Sequence, residues 1–391
     1  MSTRRVAITG VGVISPCGLG VDAFWEGLHA PAPEGLRHIA EFDPLPYFDN
    51  PKDARRSDRF TQFALAAAAE AMAMAGPIGG DPTRQGVWIG TGIGGLTTLE
   101  DQVLVHDHKG ARRVSPFLVP MLMANAASAA VSMRYGWQGP CETTCTACAA
   151  GTHAIGNAFN LIRQGRCDAV ITGSSEAAMT PTGIAGFTNM TAMSGSLLSR
   201  PFDRDRDGFV LAEGAGVLVL EDWERAEARG ATILAELLGA ASNADAHHIT
   251  APSPGGAGAV ACMRMAIADA GLTPADIAHV NAHGTSTPLN DAAEAAAIET
   301  VFGPAGPPVT SIKGVTGHSL GAAGALEAVA VVMSMRNAAL PPTAGFATRD
   351  PEMAPIDIVT GSGRPWSPGP TLSNSFGFGG HNGCIVIGPA A

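Results

Sequence analysis

The chain has 391 residues, of which 46% are hydrophobic and 15% are charged, so it can bury a large core and lacks the composition of a disordered protein. Its formal net charge is -11, with 35 acidic and 24 basic residues, which disfavours nucleic acid or an anionic membrane as partner because phosphates require a cationic surface. Seven cysteines are too few for a disulfide scaffold, which indicates a reducing, cytoplasmic setting.

Short apolar segments alternate along the chain with alanine-rich segments of helical spacing. The predicted strands span residues 5–13, 86–90, 167–172, 216–220 and 278–282. The predicted helices span residues 61–75, 152–163, 259–270 and 291–302. Strands that alternate with helices of this length predict an α/β fold with a mainly parallel sheet. The polar stretch 242–256, rich in proline and glycine, is the only predicted seam and divides the chain into residues 1–244 and 245–391.

Two patterns could mark a bound cofactor or metal, and both are weak. The glycines of GTGIGG (residues 90–95) match the dinucleotide-binding pattern, but no strand with a terminal acid follows at the required distance. Close packing in a tight turn explains these glycines better. The histidine pairs at 106–108 and 247–248 lack companions at zinc-site spacing, so no metal site is predicted.

The sequence GHSLG at residues 317–321 matches the nucleophile elbow GxSxG. A serine-dependent acyl-carrier-protein transacylase, with Ser319 as its nucleophile, is therefore the alternative function. A nucleophile elbow follows an apolar strand, whereas residues 311–317 are polar and include Lys313. Replacement of Ser319 distinguishes this alternative from a cysteine-dependent enzyme.

Cys145 and Cys148 form a CxxC pattern, which a thioredoxin-like redox protein would use. An alanine- and glycine-rich helical segment follows, so Cys148 is expected at a helix N-terminus. The backbone dipole there favours a thiolate, and the small neighbours leave room for a bulky substrate. Cys148 is therefore a candidate nucleophile, and a buried structural cysteine is the alternative.

His283 and His318 each follow a probable strand end, in segments rich in glycine and hydroxyl side chains. A lone histidine is usually a packed or solvated residue. One nucleophilic cysteine and two such histidines, however, form the set needed for acyl transfer followed by stabilisation of an anion on a second substrate.

Five motifs, in order along the chain, resemble those of the elongating β-ketoacyl-acyl-carrier-protein synthases, and the likeness extends over nearly all residues. They read TACAAGTHAIG around Cys148, RPFDRDRDGFVLAEGAG from Arg200, NAHGTSTPLND around His283, SIKGVTGHSLGAAGALEA around His318 and NSFGFGGHN from Asn374. The resemblance implies the thiolase fold, an α/β fold with two βαβαβαββ halves stacked as five layers, α-β-α-β-α. Residues 1–244 would carry the nucleophilic cysteine and residues 245–391 the two histidines.

The resemblance also implies a decarboxylative condensation that needs no cofactor other than the phosphopantetheine of the carrier protein. Cys148 would take the acyl group, and malonyl-acyl-carrier protein would lose CO2 and attack it, for fatty-acid or type II polyketide elongation. Cys148, His283 and His318 would be the catalytic triad. The backbone N–H groups of Cys148 and Phe378 would form the oxyanion hole, and Phe378, flanked by glycines, would be the gating aromatic.

Other family positions receive supporting roles by the same resemblance. Lys313 and Glu327 would support His318 electrostatically, and Asp291 would be a structural acid. Thr285 and Thr287 would bind the pantetheine arm.

The partners follow from charge and from the family. Carrier proteins are acidic, so an acidic synthase needs a cationic landing area. Two clusters qualify, namely Lys52, Arg55 and Arg56 with Arg59, and Arg112 and Arg113 with Lys109. The expected assembly is a homodimer, or a heterodimer with a related chain-length-factor subunit.

Overall fold

The computed structural model describes residues 4–390. Within this range the strands are β1 (Val6–Ser15), β2 (Gly18–Leu19), β3 (Gln85–Gly90), β4 (Cys141–Glu142), β5 (Ala169–Glu176), β6 (Gly214–Asp222), β7 (Ala235–Ala244), β8 (His279–Asn281), β9 (Val309–Thr310), β10 (Ala339–Leu340), β11 (Arg364–Pro365), β12 (Thr371–Gly377) and β13 (His381–Pro389). The α-helices are α1 (Val21–Gly27), α2 (Pro51–Ala54), α3 (Arg59–Ala75), α4 (Leu96–Lys109), α5 (Leu118–Leu122), α6 (Ala126–Tyr135), α7 (Ala150–Arg163), α8 (Pro181–Asn189), α9 (Trp223–Ala228), α10 (Ala257–Asp269), α11 (Pro288–Phe302), α12 (Lys313–Thr316) and α13 (Ala323–Asn337).

Each predicted strand and helix is present, with its ends moved by a few residues. The helices begin two or three residues earlier than predicted, and at α3 and α11 a side-chain cap fixes the new start. The Asp58 carboxylate accepts a hydrogen bond from the N–H of Phe60 at the start of α3. At the start of α11 the Thr287 hydroxyl accepts from the N–H of Asn290, and Pro288 occupies the first helical position.

The main sheet is mixed. Among the described residues its strands pair in the order β4-β3-β5-β6-β1-β7-β13-β12-β8-β9, with β2 on β1. The pairs at both ends of this order are parallel, whereas those from β5–β6 to β13–β12 are antiparallel. The prediction of a mainly parallel sheet was therefore wrong. The predicted strands β5, β6 and β1 pair antiparallel to one another, and the sequence pattern did not mark β7, β12 or β13 as strands.

The sheet consists of two related halves. From the outer edge inward, one half runs β4, β3, β5, β6 and β1, and the other runs β9, β8, β12, β13 and β7. The halves meet where Val6–Ile8 of β1 pairs with Ala235–Leu237 of β7. This is the two-half arrangement expected from the resemblance. The proposed division at residue 245 falls directly after β7, although β7 pairs as the innermost strand of the second half, and the division stays a prediction.

Helices α7 and α13 form the central layer of the molecule. They pack on each other, α7 contacts β3, β5, β7 and β13, and α13 contacts β6 and β12, so each touches both half-sheets. Gly324 permits their close approach, since a Cβ there would lie 2.3 Å from the Thr152 hydroxyl oxygen. Helices α3 and α6 cover the outer face of one half, and α10 with α11 covers that of the other. The layers therefore run α-β-α-β-α.

Buried aliphatic and aromatic side chains fill the spaces between these layers. The 3-10 turns that lead into the two central helices, Ala147–Ala149 and Leu320–Ala322, contact each other. This contact brings the N-terminal ends of α7 and α13 to one place. None of the helices in residues 4–390 is long and apolar enough to cross a membrane.

Candidate active site

Cys148 lies in the turn that leads into α7 and is 5% exposed. The preceding residue, Ala147, has a φ of 49°, in the left-handed region that is unfavourable for a residue with a side chain. Gly377 fits closely against this turn, because a Cβ there would lie 3.1 Å from the backbone nitrogen of Cys148. The strained turn and its close packing fix the position of the sulfur.

The two histidines lie beside this sulfur. His318 Nε2 is 3.0 Å from Cys148 Sγ. The rings of His283 and His318 are 5.4 Å apart between centroids and meet at 84°. One ligand atom from each of the three residues lies within 4.8 Å of the others, an arrangement that could also hold a zinc ion. The fold thus brings together the three residues singled out from the sequence.

These residues line a cavity of about 360 Å³. Thr285, Thr287 and Phe378 line the same cavity, and the two threonine hydroxyls are 2.9 Å apart. The buried side chains of Phe209, Leu211 and Leu320 pack around Cys148. The cavity therefore offers hydroxyl groups on one wall and apolar surface next to the sulfur.

Lys313 is buried beside His283. Its ammonium donates to the His283 carbonyl at 2.6 Å, lies 3.3 Å from His283 Nδ1 and forms an ion pair with Glu327. The sequence analysis placed this pair next to His318, but its direct contacts are with His283. An ammonium can only donate, so His283 Nδ1 accepts and its other ring nitrogen carries the proton.

Two acids of α11 hold the loop that carries His283. Glu294 accepts from the N–H groups of His283 and Gly284, both at 2.8 Å. Asp291 accepts from the N–H of Phe202 at 2.7 Å and of Ser286 at 3.1 Å. Both carboxyl groups are buried, and Asp291 joins this loop at Ser286 to the segment that contains Phe202.

Burial raises the pKa of the Cys148 thiol to about 11, although the N–H of Phe378 and the charge of Lys313 oppose this rise. The expectation that the helix N-terminus would favour a thiolate was wrong, because desolvation outweighs it. Burial, together with the Lys313 charge, lowers the pKa of His283 and His318 well below its usual value. At neutral pH a thiol therefore faces a neutral imidazole that can accept its proton.

The sequence matches two family models, described as the Beta-ketoacyl synthase N-terminal domain over residues 29–226 and the C-terminal domain over residues 234–347. Together they cover most of the chain. The chain belongs to the β-ketoacyl synthase family.

This β-ketoacyl synthase is 44% identical to 3-oxoacyl-[acyl-carrier-protein] synthase 2 of Staphylococcus aureus, over 98% of each chain. Its fold matches the ishigamide ketosynthase/chain length factor with a TM-score of 0.91 at 32% identity, over 100% of both chains. It also matches a chain in the structure of a type II polyketide acyl-carrier protein in complex with its ketosynthase bound to the hexaketide. The TM-score is 0.89 at 33% identity, over 99% of this chain and 100% of that one. The predicted thiolase-like fold is confirmed, and the protein is a carbon–carbon bond-forming acyltransferase.

Family membership and geometry both contradict the serine transacylase alternative. Ser319 is buried, and its hydroxyl has no hydrogen-bond partner among the described residues. The neighbouring His318 directs Nε2 to Cys148 instead. A serine nucleophile requires a base within hydrogen-bond reach, which Ser319 lacks in the part of the chain that the structure describes.

The dinucleotide and redox patterns are explained by packing in this synthase. The N–H of Gly92 donates to Glu176 at 2.6 Å, and a Cβ at Gly92 would lie 2.6 Å from that carboxylate. A carboxylate therefore occupies the place where a phosphate would bind. Cys145 is exposed and donates to the carbonyl of Gly92, and all seven cysteines are free thiols.

The predicted docking cations lie on the surface. Lys52, Arg55, Arg56, Arg112 and Arg113 are all exposed. The Arg56 guanidinium lies 4.5 Å from the centroid of the Phe117 ring, between α2 and α5. Arg59 does not belong to this surface, because it pairs with the buried Glu213 at 2.8 Å.

Sequence reasoning missed two buried acids of this synthase. Glu294 holds the His283 loop, and Glu176 accepts from the N–H groups of Gly92 and Gly321, which joins the loop after β3 to the turn after His318. Glu294 lies one helical turn after Asp291, and that spacing was the available signal. Glu176 ends a buried strand with no local feature that marks it.

Proposed function

We propose that this synthase condenses an acyl group, held as a thioester on Cys148, with malonyl-acyl-carrier protein to give a β-ketoacyl-acyl-carrier protein. The observation that carries the proposal is the shared cavity in which His318 Nε2 lies 3.0 Å from Cys148 Sγ and the ring of His283 adjoins that of His318. The product would extend a fatty-acid or type II polyketide chain.

In the first stage Cys148 attacks the thioester carbonyl of acyl-acyl-carrier protein. His318 accepts the thiol proton as the carbon–sulfur bond forms, and returns it to the departing pantetheine thiolate. The N–H groups of Phe378 and of Cys148 itself both face the sulfur, so they are available to the oxyanion of the tetrahedral intermediate. The acyl group is then held on sulfur, and the carrier protein leaves as a free thiol.

In the second stage malonyl-acyl-carrier protein enters and loses CO2. The electrons of the broken carbon–carbon bond form an enolate. Its oxygen accepts hydrogen bonds from the Nε2–H groups of His283 and His318. His318 is then in the tautomer that carries its proton on Nε2, because the acylated sulfur no longer donates to that nitrogen and Nδ1 has no hydrogen-bond partner among the described residues. The enolate carbon then attacks the carbonyl of the acyl-cysteine, the carbon–sulfur bond breaks, and the Cys148 thiolate takes a proton from solvent. Lys313 and Glu327 assist because the ammonium keeps His283 in the tautomer that donates into the cavity.

The cavity wall supports the remaining site assignments. Thr285 and Thr287 bind the pantetheine arm, since both hydroxyls line the cavity that holds Cys148. Phe378 acts as the gate, because Gly379 and Gly380 after it have φ values of 84° and 73° and leave that turn without side-chain restraint. Asp291 is a structural acid.

Acyl-carrier protein is the proposed partner. One related structure is a ketosynthase in complex with its carrier protein. Exposed Lys52, Arg55 and Arg56 form one part of the docking surface, and Arg112 and Arg113 form the other. The Arg56 guanidinium contacts the ring of Phe117, which follows Arg113 closely in the chain. This contact supports one continuous cationic area.

We also propose a dimer, either of two copies or with a related chain-length-factor subunit such as the one named for a related structure. β4 is the outermost strand of its half-sheet, and both of its residues are exposed. Helix α6 contacts β4, and α4, α5 and α6 expose several large apolar side chains, namely Leu99, Val103, Leu104, Val119 and Met133. An unpaired strand edge beside such a patch is typical of a subunit interface.

The proposal also covers the division of the chain into two halves and the location of the protein in the cell. Residues 1–244 carry the nucleophile and residues 245–391 carry the two histidines. A cytoplasmic location is supported by the seven free thiols.

The test is to incubate the synthase with acyl-carrier proteins that bear different acyl chains and to measure the mass of the Cys148 peptide. An acyl adduct on Cys148, followed by β-ketoacyl product when malonyl-acyl-carrier protein is added, is expected. Cys148→Ala should abolish the adduct, and the matched control Cys145→Ser should retain condensation. An adduct on Ser319, or full inactivation by Cys145→Ser, would overturn the proposal.

A further inference from the structure

His153 joins the two loops that surround the reactive sulfur, although it lies outside the cavity that holds Cys148. It is in the first turns of α7 and lines a separate cavity. Its Nδ1 lies 2.8 Å from the hydroxyl of Thr146, two residues before the nucleophile. Its Nε2 lies 3.0 Å from the carbonyl of Asn382, at the start of β13.

Each of these two partners lies beside a turn that supplies one donor of the proposed oxyanion hole. Thr146 precedes Ala147, whose strained φ of 49° positions the backbone N–H of Cys148. Asn382 follows the turn that contains Phe378, whose N–H faces the sulfur. The glycines of this second turn cannot fix its shape by side-chain packing. The imidazole is a direct hydrogen-bonded link between the two loops.

The partners also determine where the proton of this ring lies. A carbonyl can only accept, so Nε2 of His153 carries the proton and donates to Asn382. Burial lowers the pKa of His153, so the ring is neutral and Nδ1 is an acceptor. The Thr146 hydroxyl therefore donates to Nδ1. The link therefore needs the Thr146 hydroxyl and both nitrogens of the His153 ring.

We propose that His153 is a positioning residue that, together with the Thr146 hydroxyl, sets the spacing of the oxyanion-hole N–H groups of Cys148 and Phe378 and thereby the rate of Cys148 acylation. The inference rests on the proposed condensation. Decarboxylation of malonyl-acyl-carrier protein depends on His283 and His318, neither of which contacts His153 through a hydrogen bond among the described residues. The two half-reactions should therefore respond differently.

The test compares Thr146→Val, which removes the hydroxyl and keeps the shape, with Thr146→Ser, which keeps the hydroxyl. Acylation of Cys148 by acyl-acyl-carrier protein is followed by rapid quench and intact mass. Decarboxylation is followed separately as CO2 released from malonyl-acyl-carrier protein without an acyl donor. Thr146→Val should slow acylation about tenfold, as expected for one lost hydrogen bond at a transition state, and change decarboxylation less than twofold. Thr146→Ser should restore acylation.

A second pair of variants tests the ring itself. His153→Phe keeps an aromatic ring but makes neither hydrogen bond, and it should slow acylation more than Thr146→Val does. His153→Gln can still donate to the Asn382 carbonyl and should recover part of the rate. Equal losses in both half-reactions, or unchanged acylation in Thr146→Val, would overturn the inference. A wild-type enzyme that forms no β-ketoacyl product would instead overturn the proposed function, so the two failures are distinguishable.

Discussion

The buried pair of Lys313 and Glu327 allows a quantitative test of how the His283 side of the site is held. Each side chain is 1% exposed, and the ammonium also donates to the carbonyl of His283. Lys313→Met and Glu327→Gln each remove one charge and nearly conserve side-chain volume. Either change leaves the other charge buried without its counter-ion.

Loss of one partner of a buried ion pair costs about 3–5 kcal/mol of stability. The double variant leaves no unpaired charge, so it should be more stable than the sum of the two single losses by about 2 kcal/mol. Urea unfolding of all four proteins at pH 8 measures this coupling, because the pH then exceeds the value of about 7 to which burial raises the pKa of Glu327. Lys313→Met should also slow malonyl decarboxylation more than Glu327→Gln does, since only the lysine contacts the His283 ring.

The reasoning would be refuted by strict additivity of the two unfolding free energies in the double variant. It would also be refuted if Lys313→Met left decarboxylation at the wild-type rate, because His283 would then not need the ammonium to fix its tautomer. A surface pair such as Arg364 and Asp357 offers a matched control, in which charge removal should cost less than about 1 kcal/mol.

Three further outcomes are expected. Alkylation of Cys148 by iodoacetamide should be slow at pH 7 and should accelerate about tenfold per pH unit up to pH 9, because burial raises the pKa of the thiol to about 11. Peptide mass spectrometry measures the alkylation rate. A rate that no longer rises above pH 7 would contradict the buried thiol. Burial also raises the pKa of Glu176 from 4.5 to about 7, so the folded chain binds a proton that the unfolded chain has lost, and this group lowers stability as pH rises through that window. Glu176→Gln should flatten the fall in unfolding free energy, and an identical slope in both proteins would count against this assignment. Arg55→Glu combined with Arg56→Glu should raise the KM for the carrier-protein substrate about tenfold while turnover of a small acyl thioester is retained; an unchanged KM would place the docking surface elsewhere.

Predictions that depend on near neighbours in the chain were the most accurate. The helices after Cys148 and after Thr287 are specified by alanine content and apolar spacing, and the second also by the Thr287 cap, all of which act within one or two turns. The sequence also singled out Cys148, His283 and His318, which the structure places around one cavity, because each lies in a segment of small and hydroxyl residues that leaves room for a substrate.

The strand arrangement was beyond local reasoning. The antiparallel centre of the sheet joins strands that are far apart in the sequence: β1 pairs with β6 and with β7, and β7 pairs with β13. Strand propensity depends mainly on those neighbours and on burial on both faces, so the pattern of one segment did not reveal it.

The residues alone therefore determined the fold class and singled out Cys148, His283 and His318 as candidates, since these inferences depend on short-range pattern and side-chain chemistry. Only the tertiary structure decided that Lys313 contacts His283, that Glu176 and Glu294 hold the site from behind, and that Cys148 is a thiol at neutral pH. The physical reason is that hydrogen-bond partners and desolvation arise where distant segments meet, and neither is a property of any single stretch of chain.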